Sequence, residues 1–108
     1  MKLSVYLVVQ DEEKRLVKTL KAASKVADEI VVVDSGSTDN TSKIVYKYTN
    51  RFIYHNFESI GHQVKFAEEA CSFDWVLRLD ADEVLSDELI EEIKIIKEKP
   101  YCDGYFLR

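Results

Sequence analysis

The chain has 108 residues, 46% hydrophobic and 32% charged, with a formal net charge of -5. That length fits one domain burying roughly 65% of the surface its unfolded chain exposes; the composition excludes disorder, and no apolar run approaches the ~18 residues of a membrane span. Residues 1–54 hold nine Lys/Arg against seven Asp/Glu and residues 55–108 six against thirteen, an acidic half that argues against nucleic acid as a partner.

The first apolar run, Leu3–Val9, is β-rich, and it is too short and lacks the cleavage site for a signal peptide. It ends at "QDEEKR". From Glu12 onward Leu16, Val17, Leu20, Ala23 and Ala27 recur at helical spacing, which places Glu12 and Glu13 in a first turn suited to the helix dipole. Lys14, Lys18, Lys21 and Lys25 form a basic stripe that reads as a solvated face, with contact to acidic lipid as the alternative. "EIVVVD" (Glu29–Asp34) is a continuous apolar strand of the kind buried on both faces of a parallel sheet. "SGSTDN" follows as turn formers and caps, then Thr41–Tyr48 as a helix and Arg51–Tyr54 as a third strand. His55 and His62 have no matched set of metal ligands and read as surface or half-buried residues.

Gly61–Cys71 is helical, Asp74–Leu79 is a strand, and Ser86–Lys99 is a helix. Ser86 caps that helix, Asp87 and Glu88 occupy its first turn, and Pro100 stops it. Phe66, Phe73 and Trp75 belong to the core, and Tyr105–Leu107 starts a strand whose exposed edge invites self-association. Cys71 and Cys102 form no CxxC pair and match no zinc spacing, so two reduced thiols in a cytoplasmic protein are expected, with a disulfide between them left open.

Strand–helix alternation with short connections specifies an α/β fold with a mostly parallel sheet, in which ligands bind outside the carboxyl ends of the strands. "QDEE", "DSGSTD" and "DADE" each follow a strand, so they should converge on one rim. Asp34 closes its strand where a carboxylate can accept hydrogen bonds from a ligand N–H or hydroxyl. Gly36 lets the chain turn or lets a ligand approach the backbone, and Ser37, Thr38 and Asp39 can cap a helix whose free N–H groups favour anions. A plain capped strand–turn–helix connection has the same composition.

Asp80, Asp82 and Glu83 fall within four residues. Like charges ~6 Å apart repel by about 0.7 kcal/mol in water and ~3 kcal/mol at an effective dielectric of 20. A solvated tip tolerates them; a half-buried one wants a cation. Read as extended chain, Asp80 and Asp82 point to the same side with Cα atoms ~7 Å apart. Such a pair suits Mg²⁺ or Mn²⁺, which takes one or two carboxylates and fills its shell with water and phosphate oxygens. A solvated acidic loop is the alternative.

Taken in order, "SVYLVVQDEEKRLVKTLKAASKVADEIVVVDSGSTDNT", "GHQVKFAEEA" and "FDWVLRLDADEVLSDEL" resemble the family 2 glycosyltransferases of the GT-A fold, and among them the branch that builds lipopolysaccharide core sugars. The resemblance implies a Rossmann-like GT-A fold, a nucleotide-sugar donor such as a UDP-sugar, a glycan or glycolipid acceptor, and Mg²⁺ or Mn²⁺ as cofactor. It implies that Asp34 reads the base, Asp80 holds the ribose and Asp82 binds the metal, with Asp11, Glu12, Ser35 and Gly36 beside the nucleotide. It places the enzyme in the cytoplasm, with peripheral attachment to the inner face of the membrane as an option. Two positions depart from the pattern: Asp11 stands for the usual Asn, and Val64-Lys65 stands for a basic residue followed by Asn, leaving Lys65 as a partial substitute. The family's acceptor site and catalytic carboxylate lie in a second half beyond these stretches, so no catalytic residue is assigned and Glu83 stays with the donor-side motif. The chain is expected to be the donor-binding portion of a longer enzyme, a trimmed piece, or a short product that needs a partner. Two rivals remain: a nucleotide- or partner-binding module without turnover, and a receiver-like signalling domain, in which "SGSTDNT" and "DADE" have no use.

Overall fold

Ile30 to Asp34 are all buried, which is why this run carries no polar alternation. They form most of β2 (Glu29–Asp34), one of four strands in a computed structural model that describes residues 1–98. The others are β1 (Leu3–Val9), β3 (Phe52–Tyr54) and β4 (Trp75–Arg78), alternating with α1 (Leu16–Ala23), α2 (Thr41–Val45), α3 (Ile60–Ala70) and α4 (Asp87–Lys97). The sheet is parallel throughout, in the order β3-β2-β1-β4. Right-handed crossovers dictate the layers. Steps from β1 to β2 to β3 put α1 and α2 on one face, and the return across the sheet to β4 puts α3 on the other.

The two cores follow strand parity. Leu3, Val5, Leu7 and Val9 with Ile30, Val32 and Leu77 face Leu16, Leu20, Val45, Ile90 and Ile93 of α1, α2 and α4. Tyr6, Val31 and Val33 face Ala67 of α3, flanked by Val64 and Phe66. No helix among the described residues is long and apolar enough to cross a membrane.

Several sequence-based boundaries move. Glu12 and Glu13 do not open α1: the Glu12 carbonyl closes a turn with the N–H groups of Arg15 and Leu16, and the helix starts at Leu16 with no acid in its first turn. Val17 is exposed, although its neighbours in the helical pattern are buried. Helix α2 ends at Val45, three residues earlier than expected. Ser86 caps α4 as predicted, accepting from Leu89 N at 3.1 Å. Phe66 and Trp75 are half-buried against the cores, and Phe73 lies half-buried beneath the Lys2 ammonium, 5.7 Å from its ring centre. Lys14, Lys18, Lys21 and Lys25 are all exposed. Cys71 has no disulfide partner among the described residues, and burial pushes its thiol up to about 11, so as a thiol it stays protonated at neutral pH. Pro100, Cys102 and the expected strand Tyr105–Leu107 lie outside the described residues.

Two carboxylates pin the amino ends of the strands. Glu29 accepts from Ser4 Oγ (2.8 Å), from Ser72 N and Oγ (both 2.7 Å) and from Arg51 (3.0 Å). Burial pushes its pKa up, but the Ser72 and Ser4 hydrogen bonds and the Arg51 charge outweigh that and hold it below its ordinary value. Asp28 behaves alike: burial raises it, and Lys97 Nζ (2.7 Å) with Leu3 N (2.8 Å) bring it down on balance.

A lowered folded pKa means stabilisation that is full above the unfolded value and lost as pH falls through the folded one. Replacing Glu29 by Gln should therefore lower the melting temperature at pH 7 and flatten its decline between about pH 5 and pH 3. Parallel wild-type and E29Q melting curves across that range would show that Glu29 has no such part.

Candidate functional site

β1 and β2 end level, with Val9 paired to Asp34, and β4 extends its pairing through Leu79 N to Tyr6 O at 3.1 Å. The loops that leave the carboxyl ends of β1 and β2 are stitched to each other. Asp11 N donates to Ser37 Oγ (2.8 Å) and Asp11 Oδ1 accepts from Thr38 N (2.7 Å). Glu12 N donates to Thr41 Oγ1 (3.0 Å), and Glu13 N to Asp39 Oδ2 (3.3 Å). Asp11 holds φ at 52°, a left-handed conformation that Asn and Asp tolerate best among residues other than glycine. The departure at position 11 thus keeps both demands of the site, the backbone shape and an acceptor oxygen.

Asp34 is almost fully buried, 5% exposed. Its Oδ2 accepts from Gly36 N (3.1 Å) and Ser37 N (2.8 Å), and its Oδ1 from the Ser37 hydroxyl. Three of roughly four lone-pair sites are engaged, so the carboxylate shapes its own loop and keeps one acceptor position. Gly36 has φ at 122°, and a Cβ there would meet Tyr54 only at ordinary contact distance, 3.7 Å. Backbone shape, not crowding, requires the glycine. Asp39 accepts from Thr41 Oγ1 (2.5 Å) and Thr41 N (2.9 Å), and the Thr41 hydroxyl chiefly holds its carboxyl below the ordinary range. A pocket of about 230 Å³ lies between these loops, lined by Asp11, Glu12, Glu13, Lys14, Arg15 and Asp39. A larger one, about 420 Å³, opens at the opposite end of the strands beside Glu29, Arg51 and Phe73. None of the acidic clusters that follow strands reaches it, so the carboxyl-end rim is the better candidate.

The stretch Asp80–Glu83 is not extended. Glu83 N bonds back to Asp80 O (3.0 Å) and Asp80 N to Glu83 Oε1 (2.9 Å), which makes a tight turn. The expectation that Asp80 and Asp82 share a side because they alternate along a strand therefore fails. What holds the turn is Ala81, buried beneath the acids, whose carbonyl accepts from Thr19 Oγ1 of α1 at 2.5 Å. Asp80 and Asp82 are exposed, and among the described residues only a 3.9 Å approach of Arg78 offsets Asp80. Water screens their repulsion to the lower value, about 1 kcal/mol or less. No group of three His, Cys, Asp or Glu side chains able to hold a metal occurs among the described residues. A cation here would have one or two carboxylates and would draw the rest of its shell from water or ligand, which suits Mg²⁺ or Mn²⁺. β1 separates β2 from β4, so the Asp34 and Asp80 ends stand two strand spacings apart, roughly 10 Å.

Asp11, Glu12, Asp34, Ser35 and Gly36 are thus brought together, and Asp80 and Asp82 flank them across β1. Lys65 is not gathered in. It is exposed, two residues beyond the buried Gln63 and so on the far side of α3. Gln63 itself was missed, although a polar residue in phase with Ala67 and Ala70 on an amphipathic helix is a readable anomaly. It bonds Ser35 Oγ (3.1 Å) and His55 O (2.6 Å), tying α3 to the ends of β2 and β3.

Residues 4–105 match the profile of the family described as Glycosyl transferase family 2. An uncharacterized glycosyltransferase of Rickettsia conorii is 38% identical over 104 residues, covering 96% of this chain and 37% of the relative. The lipopolysaccharide core biosynthesis glycosyltransferase LpsC of Rhizobium meliloti is 35% identical over 120 residues, covering 95% of this chain and 44% of its own. Among solved structures, S. aureus TarS 1–349 in complex with UDP-GlcNAc superposes with a TM-score of 0.70 at 29% identity, over 88% of this chain and 30% of that one. Glucosyl-3-phosphoglycerate synthase from Mycobacterium tuberculosis, in complex with Mn²⁺ and UDP-glucose, gives 0.67 at 25%, over 77% and 34%. The chain spans little more than a third of the length of the first of these relatives.

The Asp11 geometry is open to a direct check. Asp11→Asn keeps the left-handed tolerance and the acceptor for Thr38 N, so its melting temperature should stay within about 2 °C of wild type. Asp11→Ala strands Thr38 N and strains the backbone, at a cost of about 1–2 kcal/mol. Equal melting temperatures for Ala and Asn would show that the two loops order without this residue.

Proposed function

The chain belongs to glycosyl transferase family 2, and on that premise we propose that it forms the donor-binding half of a glycosyltransferase that uses a UDP-sugar. The observation that carries this reading is that the Asp34 loop and the Asp80–Glu83 turn both leave the carboxyl ends of strands that flank β1, on one rim of the sheet. Ligands of open α/β sheets bind there, where the strand order reverses.

In this reading Asp34 offers its remaining acceptor position to a base N–H, uracil being the fitting base. Ser35 and Gly36 bring the backbone close, and Asp11 and Glu12 border the nucleotide from the other loop. Asp80 accepts from the ribose hydroxyls. Asp82, exposed and without a protein partner among the described residues, would hold the divalent cation. When bound, that ion offsets charge on the leaving nucleoside diphosphate. The chain's own contribution is preorganisation: the loops are hydrogen-bonded to each other before any ligand arrives, so little ordering remains to be done on binding. Lys65 receives no part. The naming of LpsC favours a glycan or glycolipid acceptor of lipopolysaccharide type, which would put the reaction at the inner face of a membrane.

Thermal denaturation tests the reading. UDP with Mn²⁺ or Mg²⁺ at about a hundred times its dissociation constant should stabilise the chain by ~2.7 kcal/mol, a rise of many degrees for a domain of this size. EDTA should remove most of that rise. Asp82→Ala should lose the metal-dependent part while melting like wild type without ligand. Stabilisation by UDP that ignores the metal would take the cation role from Asp82. Release of UDP from a UDP-sugar by the chain would exclude a binding module without turnover.

A further inference from the structure

The carboxyl end of β3 carries a polar cluster to which the roles above give no use. Gln63 is fully buried on the inner side of α3. Its Nε2 lies 2.6 Å from the His55 carbonyl oxygen and 3.1 Å from Ser35 Oγ, and its Oε1 lies 2.6 Å from His55 Nδ1. A carbonyl oxygen has no proton to give, so the end of the amide that faces it must be the nitrogen. The other end is then an oxygen, equally without a proton. The hydrogen between that oxygen and the ring must therefore sit on Nδ1. In the neutral imidazole this leaves Nε2 as a bare acceptor.

The ring plane is fixed as well, stacked on Phe66 with centroids 3.8 Å apart and planes 15° from parallel. Nε2 has no hydrogen-bond partner among the described residues, and no buried side-chain nitrogen or oxygen among them is left unpartnered. Nε2 is consequently not fully enclosed, and His55 as a whole is half-buried. It belongs to the rim, because His55 N donates to Asp34 O at 3.0 Å and Gln63 holds both His55 and Ser35.

We propose that His55 contacts the nucleotide donor through Nε2, accepting a hydrogen bond from an N–H or hydroxyl, and that Gln63 is the positioning residue that holds the ring in this tautomer. The proposal rests on the donor site assigned above and adds what the acidic clusters do not supply. A neutral acceptor recognises a donor group without bringing another negative charge towards a diphosphate.

Imidazole ¹⁵N NMR on the full chain at pH 8 reads the tautomer without any substitution. The expected result is a protonated Nδ1, a bare Nε2, and an Nε2 resonance that moves when UDP is added with Mg²⁺. Gln63→Leu should release the ring to a mixture of tautomers. In UDP titrations with Mg²⁺ at a temperature where both proteins are fully folded, His55→Ala should bind roughly five- to tenfold more weakly, and it should also melt several degrees lower because Gln63 Oε1 loses its partner. His55→Gln, whose amide oxygen reaches the Nε2 position, should recover most of the loss. A ring protonated on Nε2, or His55→Ala binding as tightly as wild type, overturns the proposal and leaves the donor site standing. A wild-type chain that binds no UDP at all removes the donor-site reading itself.

Discussion

β1 is the strand from which everything else takes its position. It pairs on both edges, with β2 and with β4, and six of its seven residues are buried. A strand so enclosed has little freedom of register, because a slip of one residue would exchange the side chains facing α1 with those facing α3. The levels at which β2 and β4 end are therefore set against a single reference. The loop after β1, the loop after β2 and the turn after β4 share one rim for that reason, although 70 residues separate Asp11 from Ala81 along the chain.

At that rim the polar groups satisfy one another. The Ser37 hydroxyl stands between Asp11 N and the Asp34 carboxylate, and Asp11 in turn holds Thr38 N. Such a loop is costly to rearrange, since each displaced group would lose a partner worth about 1 kcal/mol. The Asp80–Glu83 turn differs. Its backbone is pinned from below through Ala81, while its carboxylates stay in water. One part of the rim is thus held rigid by its own hydrogen bonds, and the other exposes carboxylates whose charge is balanced by solvent and, at Asp80, by Arg78.

Much of this is legible in the sequence. The unbroken apolar run of β2 announced a strand covered on both faces, Ser86 announced the start of α4, and the polar clusters after the strands announced the rim. What escaped was conformation decided by long-range partners. The turns at Glu12 and at Asp80–Glu83 close through their own local bonds, but each is also anchored by a distant hydroxyl, Thr41 for Glu12 and Thr19 for Ala81, which no local pattern announces. Gln63 escaped for another reason. A buried amide is expensive unless every bond is made, and its three partners come from the ends of two strands that no local pattern connects to α3.

The bond between Thr19 and the Ala81 carbonyl makes α1 and the acidic turn one mechanical unit. A displacement of that helix along the sheet carries the Asp82 carboxylate with it, although Asp82 lies at the far end of a different strand. On the proposed role of Asp82, affinity for an ion at the turn depends on how α1 seats in the core. Repacking around Leu16 or Leu20 can retune it while every acidic side chain stays in place.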